Sequence, residues 1–339
     1  LSALQTAGMS TDRLDAGTDV TARRQQNARA RPGSLAGVLP FLAGNALLGT
    51  IGVFVHMAQT SALTATWFRC AFGLLGLTVW FTWRRQLGAL RPTRSTAPWL
   101  LLAAALMVIG WGLFFSAIER TSAGVAVVLY HTQPMWVMLL GALWLHERPG
   151  KRSLAAVSAA MAGLFLATGV LEQFSAAEAR ESHTRYWAGV AFCLLGAFLT
   201  ACVTVTARRL RELPAGVLAW WQCAVGAAVL WVWPMQHGWP ALGTSWLWLA
   251  GLGLIHTGLA YTWIYAGMAR LGTGRIAVLQ FAYPAVAILI DWQFFDRRLS
   301  GLQMAGIALM GLAIWYAQRE ARARAGRCGE AACRTSASA

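Results

Sequence analysis

Residues 122–169 recur, in degraded form, about 150 positions further along the chain. The first copy reads SAGVAVVLYHTQPMWVMLLGALWLHERPGKRSLAAVSAAMAGLFLATG, and the second, from Gly272, reads GTGRIAVLQFAYPAVAILIDWQFFDRRLSGLQMAGIALMGLAIWY. Each begins with small residues and carries a mid-segment proline, Pro134 or Pro284, followed by a bulky apolar run. An acid and an arginine come next (Glu147-Arg148, Asp296-Arg297), then a second apolar run. The proline-to-acid spacing is thirteen residues in the first copy and twelve in the second, a slip of one. A chain built by duplication must fold as two related units. Both copies are too apolar for water, so the units belong in a membrane.

Composition supports that. Hydrophobic residues make up 57% and charged residues 12% of the 339, with a mean hydropathy of +0.51, which lies outside the soluble globular range. A membrane-spanning helix needs about 20 mostly apolar residues. Ten windows satisfy this: 35–57, 62–83, 97–118, 122–145, 153–171, 186–207, 214–234, 246–268, 273–294 and 301–317. They are apolar all round, without the polar face that a helix of a soluble core presents to water.

The net charge of +15 does not imply nucleic acid, because its distribution follows topology. With the amino terminus in the cytoplasm and ten crossings, 22 of the 28 basic residues fall in cytoplasmic segments and five in outer ones. Arg69 lies within a span. This is the positive-inside pattern, and it predicts both termini inside. Arginine outnumbers lysine 27 to 1, which fits a GC-rich bacterial genome; the expected location is the bacterial inner membrane. Of the six cysteines, Cys70, Cys193, Cys202 and Cys223 fall in spans, so no disulfide framework is expected. Cys328 and Cys333 alone are too few for a zinc site, and no cofactor or metal is expected.

Residues 1–34 read as a disordered cytoplasmic tail with Met9 as a possible start, and 318–339 as a basic cytoplasmic tail. The polar link 172–185 separates five spans in 35–171 from five in 186–317. An odd number of spans per copy turns the second upside down. The expected fold is thus an all-α integral membrane protein, ten transmembrane helices as two inverted five-helix repeats, with a site at the midplane where the halves meet. Ala155, Ala159, Gly163 and Ala167 in span five form a four-residue ladder of small side chains. Gly301, Ala305, Ala313 and Ala317 in span ten form its counterpart. Such ladders favour close helix packing, away from a solute path.

Polar residues at mid-depth are costly unless they face a cavity or a partner, which makes them site candidates. Asn45 lies in span one, and Tyr130, His131 and Gln133 in span four. His256 and Tyr261 lie in span eight, and Gln280 and Tyr283 in span nine. Trp111 in span three adds an aromatic wall. Either histidine could exchange a proton near neutral pH, making protons a candidate coupling ion; equally, each could hold two helices together through hydrogen bonds. Pro134 and Pro284 remove backbone donors at matching positions, and matched interrupted helices point to a transporter's binding site. Arg69, Glu119 and Asp291 all fall in the outer half. They read either as a charge-paired outer gate or, for Arg69, as a side chain snorkelling to the headgroups. No HExxH, Walker loop, nucleophile elbow or CxxC occurs.

WFRCAF in span two, the proline helices ending in LHERPG and FDRRLS, and HTGLAYTWIYAGMARLGTGRIAVLQFAYP into span nine resemble the EamA-type members of the drug/metabolite transporter superfamily. The resemblance covers about residues 35–317, with Asp296 where the family usually has glutamate. It implies inverted five-helix repeats and secondary transport of small metabolites, commonly export of amino acids or related amphipathic compounds. The expected cavity is lined by spans one, three, four, six, eight and nine, in a monomer or homodimer that binds lipid and solute but no nucleic acid. The alternative is an intramembrane enzyme acting on a lipid-linked substrate, for which Arg69, Glu119 and Asp291 are the only candidate cluster.

Overall fold

The apolar windows are helical in the computed structural model, which describes residues 35–121, 123–147, 150–168, 183–294 and 300–337. In the first half, α1 comprises Leu35–Gly49 and Ile51–Ala58, α2 is Ala62–Trp83, α3 is Ala97–Ile118, α4 comprises Ala123–Tyr130 and Gln133–Trp144, and α5 is Lys151–Ala167. In the second, α6 is His183–Arg209 and α7 comprises Ala215–Leu230 and Val232–His237. Helix α8 runs through Thr244–Gly253, a π-helical turn Leu254–Leu259, and Ala260–Met268. Helix α9 comprises Thr273–Leu279 and Ala282–Phe294, and α10 is Gly301–Ala337.

Among the described residues, eight stretches are long and apolar enough to cross a membrane: Ala36–Ala58, Ala62–Trp83, Ala97–Ile118, Val125–Trp144, Thr184–Arg209, Ala215–His237, Thr244–Met268 and Thr273–Phe294. The other two windows fall in α5, described over 17 residues, and in α10. Large apolar side chains such as Leu75, Val79, Leu139 and Leu143 point outward and stay exposed. That is a liability in water and the normal state in lipid. The amino-terminal tail, most of the 172–185 link, and Arg148, Asp296 and Arg297 lie outside the described residues, as do the side chains of Asp291, Cys328 and Cys333.

The principal helix contacts form a closed set. Helix α3 packs on α6 and α1 on α8; α4 packs on α6 and α1 on α9; α3 packs on α7 and α2 on α8. The pairs α2–α7, α4–α9 and α5–α10 complete it. Exchanging helix n with helix n+5 carries every contact into another or into itself.

At the α5–α10 seam, a Cβ on Gly306 would lie 2.5 Å from the Ala167 nitrogen and the Gly163 carbonyl oxygen. Only hydrogen permits that approach. The small-residue face is offset from the expected ladders. On α5 it is Ala156, Ala160, Gly163 and Ala167, with Ala155 exposed; on α10 it is Gly306, Met310 and Ala313, with Gly301 and Ala305 exposed. Helical drift of 3.6 residues per turn, against a strict spacing of four, accounts for the shift.

Both proline helices break where the sequence predicts. Helix α4 leaves regular geometry at His131-Thr132 and resumes at Gln133, while α9 does so at Gln280-Phe281 and resumes at Ala282. Pro284 has no N–H to offer the Gln280 carbonyl, which accepts from the Tyr283 N–H instead, at 3.2 Å. Both prolines are buried. Helix α1 breaks at Thr50, whose hydroxyl lies 2.8 Å from the Leu47 carbonyl.

Candidate functional site

Side chains from both halves surround a cavity of about 230 Å³. Its lining includes Phe41 in the first half of α1 and Met268 at the end of α8, and also Val55 toward the end of α1 and Ala62 at the start of α2. Of the expected site residues, Asn45, Trp111, Tyr130, His131, Gln133, Tyr261, Gln280 and Tyr283 all line it, as does Pro134. His256 and Pro284 do not. Helix α2 contributes alongside the six expected helices, through Ala62, Ala65, Thr66 and Arg69.

The α4 break turns its residues inward. His131 Nδ1 lies 2.7 Å from the Val127 carbonyl oxygen. A carbonyl only accepts, so Nδ1 carries the proton and Nε2 of the neutral ring is left as an acceptor. The imidazole stacks on Tyr283, 5.4 Å between centroids and 19° between planes, so the break in α4 touches the first turn of α9 beyond its own break. Tyr130 hydroxyl and Thr200 Oγ1 are 2.6 Å apart, and Gln133 Nε2 reaches Thr204 Oγ1 at 3.4 Å. Asn45 Nδ2 donates to the Phe41 carbonyl at 2.8 Å. Gln280 Oε1 is buried without a hydrogen-bond partner among the described residues.

Arg69 departs from both expectations for it. Its guanidinium neither snorkels nor meets Glu119 but turns into the cavity. Nε donates to Thr257 Oγ1 at 2.8 Å and Nη2 to the Tyr261 hydroxyl at 3.1 Å. The charge lies 4.9 Å from the Trp111 ring centroid and 5.5 Å from that of Tyr261. Two hydroxyls and two aromatic faces replace part of the water that the guanidinium gives up. The π-turn of α8 supports this arrangement: Thr257 Oγ1 donates to the carbonyl of Leu252, five residues back, at 3.1 Å. Glu119 sits exposed at the end of α3, where its backbone carbonyl accepts from Arg185 Nη2 at 3.2 Å. The outer trio is therefore not assembled around Arg69 and Glu119.

His256 belongs to the framework. Its Nε2 is 2.8 Å from Thr50 Oγ1, its Nδ1 is 3.4 Å from the Gly251 carbonyl, and its ring meets Phe54 edge-on at 4.5 Å. With both nitrogens engaged, it ties the α8 π-turn to the break in α1.

At the Met268 end lies a cluster that sequence reading missed as a unit. Glu147 pairs with Arg208, and its Oε2 accepts from the Thr273 N–H at 2.8 Å and the Thr273 hydroxyl at 2.9 Å. Arg208 Nη1 donates to the Met268 carbonyl at 3.3 Å. A Cβ on Gly141 would sit 2.6 Å from the Thr273 side chain, so the glycine lets α4 reach the start of α9. His146, in the left-handed region at φ 54°, turns the chain so that the Glu147 N–H donates to the Gly141 carbonyl at 3.1 Å. Thr200 and Thr204, one helical turn apart in α6, were also missed. Their i, i+4 spacing in an apolar span was the available signal.

The EamA-like transporter family model matches residues 35–169 and 187–317. A protein of Bacillus subtilis (strain 168) described as uncharacterized transporter YxxF is 24% identical over 291 residues, spanning 84% of this chain and 91% of its own. An uncharacterized transporter of Archaeoglobus fulgidus is 26% identical over 275 residues, spanning 81% of this chain and 93% of its own. One solved crystal structure superposes with a TM-score of 0.73 at 21% identity, covering 84% of this chain and 98% of its own, which bears on fold. With two matched copies of one family model and these membrane-length helices, the chain belongs to the EamA-like transporter family and is a multi-pass membrane protein of the drug/metabolite transporter superfamily.

Proposed function

We propose that the protein is a secondary transporter that moves a small organic solute across the bacterial inner membrane by alternating access. One observation carries the reading: helices of both copies line a shared cavity beside two proline-broken helices. In this reading the chain crosses the membrane ten times, as inverted repeats spanning residues 35–171 and 186–317, with both termini cytoplasmic. The cavity's 230 Å³ is below the roughly 300–1,000 Å³ of sites for drug-sized ligands, which favours a metabolite the size of an amino acid or a related amphipathic compound. Trp111, Tyr130, Tyr261 and Tyr283 form its walls, and Asn45, His131, Gln133 and Gln280 supply hydrogen bonds. His131, with Nε2 as acceptor, is the group suited to proton coupling, while His256 holds α8 on α1. The Glu147–Arg208–Thr273 cluster closes the cytoplasmic end, and Pro134 and Pro284 mark where α4 and α9 bend during the cycle.

Proteoliposomes loaded with labelled amino acids and related metabolites test this. Saturable release of an unmodified solute, abolished by His131→Ala in folded protein, supports transport. Release of a chemically altered product instead supports the intramembrane-enzyme reading, and unchanged flux in His131→Ala removes that residue from the mechanism.

A further inference from the structure

Arg69 carries a full positive charge into a cavity lined otherwise by apolar, aromatic and uncharged polar side chains, and among the described residues no carboxylate lines that cavity with it. Nε and Nη2 are committed to Thr257 and Tyr261. Nη1 has no hydrogen-bond partner among the described residues. Trp111 and Tyr261 cover the guanidinium from their ring faces, which stabilises the cation while the cavity is empty. A cation held in such surroundings attracts an anion far more strongly than it would in water. It repels ammonium groups by the same amount.

Resting on the transport reading above, we propose that the chemical group recognised by this cavity is a carboxylate, bound at Arg69 Nη1, on a monoanionic solute whose apolar or aromatic body lies along Trp111 and Tyr261. A dianion such as a phosphate monoester would bring a second charge with no second cation among the described lining residues to meet it, and an amine would meet Arg69 with no acid beside it. One guanidinium and one carboxylate leave the loaded cavity neutral, the state that costs least to occlude within a bilayer. The arrangement is a receptor for organic monocarboxylates; a zwitterionic amino acid brings an ammonium group that no carboxylate among the described lining residues meets, and so binds more weakly than the matched acid.

The test needs no knowledge of the natural solute. Thermal unfolding and calorimetry of the purified protein are run with 3-phenylpropionate, L-phenylalanine, 3-phenylpropionamide and 3-phenylpropylamine at millimolar concentration. 3-Phenylpropionate raises the melting temperature more than zwitterionic L-phenylalanine does, and the amide binds roughly tenfold to hundredfold more weakly than the matched acid, the range that one charge-assisted hydrogen bond supports. The amine does not compete. Arg69→Met erases the difference between acid and amide, and Arg69→Lys retains part of it. Should Arg69→Met fail to fold, the comparison on the unmutated protein decides alone. Equal binding of acid and amide, tighter binding of the amine, or a melting temperature unmoved by 3-phenylpropionate overturns the proposal. Flux in proteoliposomes separates the two readings: transport of amines without acid preference leaves transport standing and removes the anion site. Acid-selective binding without flux does the reverse.

Discussion

Glu147→Gln keeps the side chain's size and removes its charge at the point where α4, α6, α8 and α9 meet. In the closed cluster the carboxylate takes two hydrogen bonds from Thr273 and the pairing with Arg208. The amide can keep one acceptor oxygen, but its NH₂ faces donors. The side chains of Arg208 and Glu147 are 10% and 29% exposed. Removing one partner of a fully buried pair costs about 3–5 kcal/mol, and exposed pairs contribute about 0–1. A value of about 2 kcal/mol suits this intermediate exposure, equivalent to roughly a thirtyfold shift toward the state in which the cluster is open. Met268 lines the cavity just inside, so Met268→Cys, in a background with the native cysteines replaced by alanine, reports on access from that side. A membrane-impermeant maleimide applied to inverted vesicles should label this site roughly thirtyfold faster when Glu147→Gln is added, and by an intermediate factor with Glu147→Asp. An unchanged labelling rate in protein that still folds would mean that the cluster braces the structure without gating it.

His256→Ala removes the link between the α8 π-turn and Thr50 and should lower stability by about 1–3 kcal/mol; thermal unfolding should fall while solute affinity, measured by calorimetry, holds. Gly306→Ala forces a methyl against the backbone of α5 and should cost about 1–3 kcal/mol or more, read as a lower melting temperature in detergent. His146→Gly relieves a left-handed position on a non-glycine residue and should stabilise the closed form by about 1 kcal/mol, seen as a higher melting temperature and slower labelling at Met268→Cys.

Membrane residence, the helix windows and the α4 and α9 breaks were legible because they rest on local properties: apolar length, and prolines without a donor. Eight of the nine expected solute contacts line the cavity for a related reason, since polar groups within a span must face something other than lipid. Arg69 was misread because its direction depends on partners 188 and 192 residues away in sequence, which no local pattern records. His256 resembles His131 in sequence as a mid-span histidine. Only the π-turn, which presents it to Thr50, separates framework from cavity. Glu147 was noted as half of a repeated acid-arginine motif, yet its described partner is Arg208, at the end of another helix. The motif's register, unlike its tertiary pairing, can be read from one chain.

The invariance of the helix contacts under exchange of the two halves has an energetic corollary. In the alternating-access reading, halves identical in sequence would make a conformer open to one compartment and its two-fold-related counterpart open to the other equal in free energy, and neither would be a resting state. Any preference must come from positions where the copies differ: histidine at 131 against phenylalanine at 281, tyrosine at 130 against glutamine at 280, glutamate thirteen residues after one proline against aspartate twelve after the other. A handful of such mismatches, each contributing on the order of 1 kcal/mol, is enough to set a bias of a few kcal/mol, which a bound solute can still overcome. In the alternating-access reading proposed above, divergence between the duplicated halves is then what sets the direction of rest.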